Sequence, residues 1–202
     1  MTTDSISAPS ARTTVRRKAD RGHYERDVIH AILDEGLVAH VGFASEFGVS
    51  VLPMVYARID DNFYLHGAVG NHMLRALADA DVCVTVTLVD GLVLSRSAFH
   101  HSMNYRSVVV YGRAELVTDD DEKDRVLRAV VEHMVEGRSA QCRPPTAEER
   151  RATRVIRLPL RETSAKVRTG PPIEEAADLA LPYFGGEVPL TLVRGAPVAD
   201  GL

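Results

Sequence analysis

The segment LHGAVGNHMLRAL, residues 65–77, brings together side chains that could bind a phosphate group. A predicted strand ends at His66, a glycine turn follows, and a predicted helix begins at Asn71 and His72, with Arg75 one turn later. The N-terminus of a helix presents unpaired N–H groups and a partial positive charge, which suit an anion. Two interpretations stay open: a phosphate site, or an asparagine that only caps the helix beside solvated His72 and Arg75.

A second polar segment, HHSMNYRSVVVYG at residues 100–112, stands directly before an apolar run. Arg106 and Ser107 at the start of the predicted strand could line a pocket, or could belong to an ordinary sheet edge. His100 and His101 are adjacent, so in a strand they would face opposite sides, and no third ligand stands at a usual spacing. We therefore predict no metal site, and the lack of a G-x-S-x-G motif disfavours a serine hydrolase.

The elements that must position these residues are short strands interrupted by helices. An amphipathic helix is expected within 23–36, and three hairpin-linked strands follow it, because β-branched and aromatic runs alternate with turn residues. Helices are predicted at 70–80, at 119–137 and from Thr146, where Thr146 and Glu149 fit a capping box. Strands are predicted at 37–45, 50–59, 62–68, 81–94, 105–117 and 153–160. A helix after the third of six strands does not fit strict βαβ alternation. The pattern favours an α+β fold built on a six-stranded antiparallel barrel.

Length and composition limit the domain organisation and the partners. A chain of 202 residues with 45% hydrophobic content can bury one core, which we place at 21–172, between a disordered segment at 1–20 and an irregular extension at 173–202. The net charge of −4 gives no general field for nucleic acid or an anionic membrane. Cys83 and Cys142 have neither metal nor disulfide-scaffold spacing, and no apolar run reaches 18 residues. We expect a soluble, cytoplasmic protein.

Three segments together, FYLHGAVGNHMLRAL, VCVTVTLVDGLVL and NYRSVVVYGRAELV, resemble the flavin-nucleotide-binding proteins related to pyridoxamine 5′-phosphate oxidase. The similarity spans about residues 23–172 and is greatest to the nitroimidazole-resistance-protein-like branch, through His66, the YRSV run at 105–108, and the Ser-x-Lys of Ser164 and Lys166. The resemblance implies an FMN-binding split barrel that forms a homodimer and holds one FMN at each end of the subunit interface.

The resemblance also assigns roles at the site. Residues 52–57 would line the flavin ring, the Tyr-Thr pair of the oxidases falls on His66 and Gly67, and their phosphate-binding Arg-Lys pair falls on His72 and Met73. Because only one residue of that last pair can carry charge, Arg75 is expected to bind the phosphate. The predicted cofactor-binding residues are Pro53, Met54, Val55, Tyr56, His66, Gly67, Asn71, His72, Arg75, Arg106, Ser107 and Lys166.

The function implied by the resemblance is that of an FMN-dependent oxidoreductase. Electrons would pass from a reduced nicotinamide, NADH or NADPH, to a small aromatic or nitro compound or to oxygen. No catalytic acid or base is predicted, because the cofactor carries the redox chemistry. Two alternatives remain: an oxidoreductase of the same fold that uses the deazaflavin F420, and a flavin- or heme-binding module without turnover of its own.

Overall fold

The computed structural model describes residues 7–46 and 48–201 and has the predicted α+β class. It contains two compact units. The first comprises the chain up to Leu88 together with Ser107–Val167, and the second comprises Val89–Arg106 and the chain from Arg168 onward. Among the described helices, none is long and apolar enough to cross a membrane.

The strands and helices follow one another in chain order. The strands are β1 (Gly22–His23), β2 (Ala39–Ser45), β3 (Gly48–Met54), β4 (Tyr56–Ile59), β5 (Asn62–Ala68), β6 (Asp81–Leu94), β7 (Ser102–Arg113), β8 (Glu115–Leu116), β9 (Thr153–Pro159), β10 (Glu162–Arg168) and β11 (Gly186–Pro189). The α-helices are α1 (Arg26–Glu35), α2 (His72–Leu77), α3 (Asp120–Met134) and α4 (Ala147–Ala152).

The strands form two sheets whose assigned registers are antiparallel. The larger sheet has the order β1-β10-β7-β6-β2-β3, with β11 paired to β6 in the second unit, and the smaller has the order β4-β5-β9-β8. Neither sheet closes on itself within the described residues, so the architecture is the predicted split barrel rather than a closed one.

The core of the first unit lies where helix faces meet the alternating side chains of the strands. α1 contributes Ile29, Ile32 and Leu33, because a helix places residues three and four apart on the same face. In β6 the side chains alternate between core and surface, since Val84 and Val86 are buried whereas the neighbouring Thr87 is exposed. α2 covers the same core with its own buried set, Met73, Leu74 and Leu77.

The strand predicted at 50–59 is two strands in different sheets. β3 and β4 are separated at Val55, and β4 has buried side chains on both faces, with Tyr56 in the main core and Ala57 in a second cluster against α3. A strand covered on both faces cannot continue the exposed β3, so the chain leaves the first sheet there.

The prediction of 153–160 as the last strand was wrong. β10 follows β9 after a two-residue turn and contains Ser164 and Lys166, which therefore lie within a strand and not after the last one. Its sequence, ETSAKVR, has few large apolar residues, and the residues that it buries are Thr163, Ser164, Ala165 and Arg168. The pattern of polar and apolar residues alone could not mark this strand.

The described parts of both terminal segments make defined contacts. Residues 1–6 of the predicted disordered segment and residue 202 of the predicted extension lie outside the described residues. From residue 7 onward the N-terminal segment makes defined contacts, for Thr13 is buried and Arg12 pairs with Asp81 and Glu162. The extension predicted as irregular contains β11, which pairs with β6 between Gly186–Leu94 and Pro189–Gly91.

Candidate functional site

An open cavity of about 670 Å³ lies beside His66 in the first unit. β5 places the histidine opposite Val155 of β9, and α3 forms much of the facing wall. The volume is in the range of about 300–1,000 Å³ that is usual for small-molecule sites. Its lining residues are Val55, His66, Leu127, Val130, Val131, Met134, Arg143, Pro145, Glu149 and Thr153.

The imidazole of His66 has an unusual environment for a histidine. Its Nδ1 atom is enclosed by protein and has no hydrogen-bond partner among the described residues. Burial lowers the pKa of His66, because a desolvated ring disfavours the charged form. At neutral pH the ring is therefore neutral, which is the form that coordinates transition metals.

A charged pair stands at the edge of this otherwise apolar cavity. Arg143 and Glu149 form a bidentate pair, with 2.6 Å from Nη2 to Oε1 and 2.7 Å from Nη1 to Oε2. Arg143, together with the backbone N–H of Thr146, lowers the pKa of Glu149 to about 2. Thr146 and Glu149 form the predicted capping box of α4, which fixes the start of that helix.

The cavity suits a large apolar ligand that needs one imidazole and one cation. Within the part of the chain that the structure describes, no three or more His, Cys, Asp or Glu side chains group together so as to hold a metal ion. The α3 residues of the lining were not predicted as site residues, because their spacing marked only a packing face. Met134, half exposed at the end of that face, was the available signal.

The predicted phosphate site at α2 is a shallow polar groove of about 480 Å³. His72 and Arg75 both line it, together with Ser45 and Glu46, and the His72 Nε2 atom lies 3.9 Å from a Glu46 carboxylate oxygen. Glu46 opposes an anion near His72, so Arg75 is the better placed cation. His72 and Arg75 thus line the same groove, and its role as a phosphate site stays a prediction.

Asn71 and Gly67 have structural roles at the same helix. The Asn71 Oδ1 atom accepts a hydrogen bond from Leu74 N at 3.2 Å, so the capping interpretation of Asn71 is confirmed. A Cβ atom on Gly67 would lie 2.9 Å from Leu74 Cδ1, which means that glycine lets β5 approach α2 closely.

The predicted wall of the flavin ring divides between surface and core. Pro53 is exposed on β3, and Met54 and Val55 are half-buried. Tyr56 is fully buried; its hydroxyl donates to the Leu33 carbonyl at 2.6 Å, and burial raises its pKa. The Tyr56 side chain therefore belongs to the core, and only its backbone remains available to a cofactor.

The last three predicted residues are distributed over both units. Arg106 belongs to the second unit, where it forms a bidentate pair with Asp90 at 2.7 and 3.0 Å. Ser107 and Lys166 lie on the neighbouring strands β7 and β10 of the first unit, and the Ser107 hydroxyl is 3.4 Å from the Lys166 carbonyl. The Lys166 ammonium donates to the backbone carbonyl of Arg17 at 3.0 Å.

Comparison with known proteins agrees with this fold over nearly the whole chain. A family model described as pyridoxamine 5′-phosphate oxidase matches residues 25–167. The flavocytochrome Anf3 from Azotobacter vinelandii is 39% identical, with 97% of this chain and 92% of that chain covered and a TM-score of 0.92. The FAD and heme binding protein from Mycobacterium smegmatis is 33% identical, with 90% and 89% covered and a TM-score of 0.85.

A more distant structure shares the fold alone. It is a 5-nitroimidazole antibiotic resistance protein from Bacteroides thetaiotaomicron, 23% identical, with 72% of this chain and 86% of that chain covered and a TM-score of 0.60. No curated protein matches the chain.

Proposed function

Because the chain belongs to the pyridoxamine 5′-phosphate oxidase family, as its sequence predicted, we propose that it is a flavoprotein that also binds heme and transfers electrons. The two relatives above 30% identity are described as a flavocytochrome and as a FAD and heme binding protein. The proposal unites the flavin predicted from the sequence with the heme that was one of its alternatives.

The observation that carries the heme assignment is the neutral, half-buried His66, whose enclosed Nδ1 atom lies beside an apolar cavity. Heme iron is commonly held by one histidine, and the porphyrin brings the other four nitrogen ligands. Nδ1 of His66 is a buried polar atom that lacks a hydrogen-bond partner among the described residues, and such an atom calls for an explanation. We propose that His66 would hold the heme iron through its imidazole.

Besides a ligand for its iron, a heme needs apolar surface for its ring and a cation for its carboxylates, and the cavity lining supplies both. Leu127, Val130 and Val131 of α3 present aliphatic surface to a flat apolar ring and keep water from it. Arg143 is the cation at the cavity edge, and a guanidinium binds a carboxylate in a bidentate manner, as it does with Glu149 here. Arg143 would therefore hold a heme carboxylate in exchange for, or beside, Glu149.

The flavin assignment uses the exposed β3 surface and the cations predicted from the sequence. Val51, Leu52 and Pro53 offer an apolar wall, and Arg75 offers a charge for a phosphate. A bound flavin would supply the redox chemistry between a reduced nicotinamide and a heme or another acceptor. The residues of this chain bind and orient the cofactors, and none of them needs to move a proton.

The flavin itself is FMN or FAD, which carry the same ring. The sequence resemblance implied FMN, whereas the Mycobacterium smegmatis relative is described as binding FAD. The physiological acceptor is proposed as a small aromatic or nitro compound or oxygen, and the donor as NADH or NADPH. The mass of the extracted cofactor distinguishes FMN, FAD and F420.

The absorption spectrum of protein purified from a heme-supplemented host tests the function directly. We expect a flavin band near that of free flavin and a Soret band that shifts on reduction. His66→Gln should lower heme occupancy at least tenfold and leave flavin occupancy unchanged. His101→Gln is the matched control, because His101 is exposed and lies outside the cavity. A His66→Gln protein with the wild-type Soret band would refute the heme assignment.

A further inference from the structure

A second cavity, of about 490 Å³, is formed by α3 and the chain that follows it, and we call it the α3 groove. Its volume is in the range that is usual for small-molecule sites, about 300–1,000 Å³. Every residue of its lining belongs to the first unit, and four of them also line the His66 cavity, so the two cavities adjoin. The lining residues are Asp124, Arg125, Leu127, Arg128, Val131, Ser139, Cys142, Arg143, Pro144 and Pro145.

Hydrogen bonds hold the chain after α3 in the position where it forms a wall of the groove. The Glu132 carboxylate accepts the backbone N–H of Gly137 at 2.6 Å and of Ser139 at 2.8 Å. Gly137 has a φ of 76°, a left-handed conformation that glycine adopts without a steric penalty. Further along, Arg143 donates to the carbonyl of Pro144 at 3.1 Å. These contacts within the chain itself shape the groove, so no ligand is needed to form it.

The groove has apolar surface that the core of the protein does not use. α3 buries Val126 and Val130 in the second core cluster. Leu127 and Val131 follow these residues by one position each, so they lie on a neighbouring face of the helix and are only half-buried. Pro145 is half-buried in the same lining. The apolar part of a ligand would remove this surface from water, which is favourable.

Arg128 has a guanidinium group that the fold orients but does not neutralise. Its Nε atom donates to the Ser139 hydroxyl at 3.2 Å, and its two Nη atoms have no hydrogen-bond acceptor among the described residues. Arg125, one turn earlier on α3, is exposed and forms no ion pair with any residue that the structure describes. A guanidinium with two available N–H donors fits a carboxylate in a bidentate manner.

The other charged residues of the lining are already paired. Arg143 forms the bidentate pair with Glu149, and Asp124 Oδ1 lies 3.3 Å from Arg150 Nε. The groove therefore has a surplus of positive charge, which comes from the two unpaired arginines of α3. Such a surplus beside apolar surface favours a ligand that is both apolar and anionic.

We propose that the α3 groove is a second ligand site, which binds a small carboxylate with an apolar body. The carboxylate is held by Arg128, with Arg125 adding charge, and the apolar body packs against Leu127 and Val131. Inorganic phosphate would leave the apolar surface unused, and a neutral hydrocarbon would leave the guanidinium groups without a partner. The site does not depend on the proposed flavin or heme. Because Leu127 and Val131 line both cavities, its ligand would lie next to the occupant of the His66 cavity.

Calorimetric titrations of the full-length protein test the site. The probes are 2-naphthoate and octanoate, which distinguish an aromatic from an aliphatic body, and 2-naphthamide, which is the neutral counterpart of the first. We expect saturable binding of at least one carboxylate, and binding of the amide about tenfold weaker than that of 2-naphthoate, because the charge-assisted hydrogen bonds are lost. Raising the salt concentration should weaken carboxylate binding and leave amide binding unchanged, because exposed charges are screened.

Two double variants locate the binding. Arg125→Gln with Arg128→Gln should weaken carboxylate binding about tenfold and keep amide binding within twofold of wild type. Arg113→Gln with Arg161→Gln removes the same charge from exposed positions of the first unit outside the groove and should change neither affinity.

Circular dichroism and the thermal midpoint verify that each double variant is folded, and if the groove variant is unfolded, the comparison of carboxylate with amide on wild-type protein decides. Three results would overturn the inference: no saturable binding of either carboxylate, equal affinities for 2-naphthoate and 2-naphthamide, or an equal loss of carboxylate affinity in the groove variant and the control.

Discussion

His66 is a histidine that the fold keeps neutral. The ring is half-buried between β5 and β9, and desolvation lowers its pKa. A neutral imidazole is ready to coordinate a metal without first releasing a proton. Ligand binding at this position therefore competes with protonation only at a pH below the usual histidine pKa of about 6.5.

The lowered pKa of His66 predicts how stability depends on pH in the absence of cofactors. The unfolded chain protonates this histidine near its ordinary pKa of about 6.5, whereas the folded chain does so only at lower pH. Below the unfolded-state pKa of about 6.5 the unfolded chain binds more protons than the folded chain. The free energy of unfolding therefore falls as the pH falls toward the folded pKa. In urea titrations at pH 7.5, 6.5 and 5.5, the free energy of unfolding should decrease less for His66→Gln than for wild type. Parallel losses would contradict the prediction.

At the residue scale, the sequence predicted polar contacts between residues that are close in the chain, but not contacts between residues that are far apart in it. The prediction that Thr146 and Glu149 form a capping box is confirmed, because both partners lie within one helical turn. The pair between Arg106 and Asp90 joins residues 16 positions apart, and only the folded sheet brings them together. Pairings of this kind have no signal in local spacing.

At the scale of elements, α2 is a short helix whose start depends on one side chain. It has six residues, and its N-terminal N–H groups are partly satisfied by the Asn71 cap. Three apolar residues on its inner face, Met73, Leu74 and Leu77, secure it to the core. A helix this short has little stability of its own, so the cap and the packing determine whether it forms.

Substitution of Asn71 separates the cap from a phosphate contact. Asn71→Ala should lower the free energy of unfolding by about 1 kcal/mol, because the Leu74 N–H loses its acceptor. Asn71→Asp keeps an acceptor and should be close to neutral in urea unfolding. If a flavin phosphate also binds beside α2, the added charge of Asn71→Asp should weaken FMN binding while stability is preserved. Equal stability of the alanine variant and wild type would contradict the capping role.

The elements themselves were predictable where their periodicity was strong. α1, α3 and β6 have clear helical or alternating patterns, and each forms where it was expected, although α3 ends at Met134. β10 and the division of 50–59 into β3 and β4 were missed. Both depend on which sheet covers the strand, and that information is in the tertiary structure rather than in the strand's own residues.

At the scale of the whole molecule, β3 exposes more apolar surface than a strand of a solitary domain usually does. Val49 is 83% exposed, Val51 59% and Leu52 44%. β3 is also an end strand of the larger sheet, so one of its edges has no partner strand among the described residues. Exposed apolar edges of this kind mark interaction surfaces or aggregation sites.

We expect the protein to be a homodimer that covers this surface. Light scattering at micromolar concentration should give twice the chain mass of 22.1 kDa. Val51→Lys places a charge on the exposed β3 surface and should shift the protein toward monomer, whereas Ala147→Lys, exposed at the start of α4, should not. A monomeric wild-type protein with full flavin occupancy would contradict the prediction.

The pairing of β5 with β9 determines when the His66 cavity can exist during synthesis. The hairpins β2–β3 and β4–β5 join neighbouring segments and can form early, because loop closure over a short distance costs little entropy. The opposite wall of the cavity, from α3 to Thr153, leaves the ribosome much later. Until then β5 keeps an open edge and His66 faces water, so a ligand of this cavity can be loaded only after almost the entire first unit has been translated.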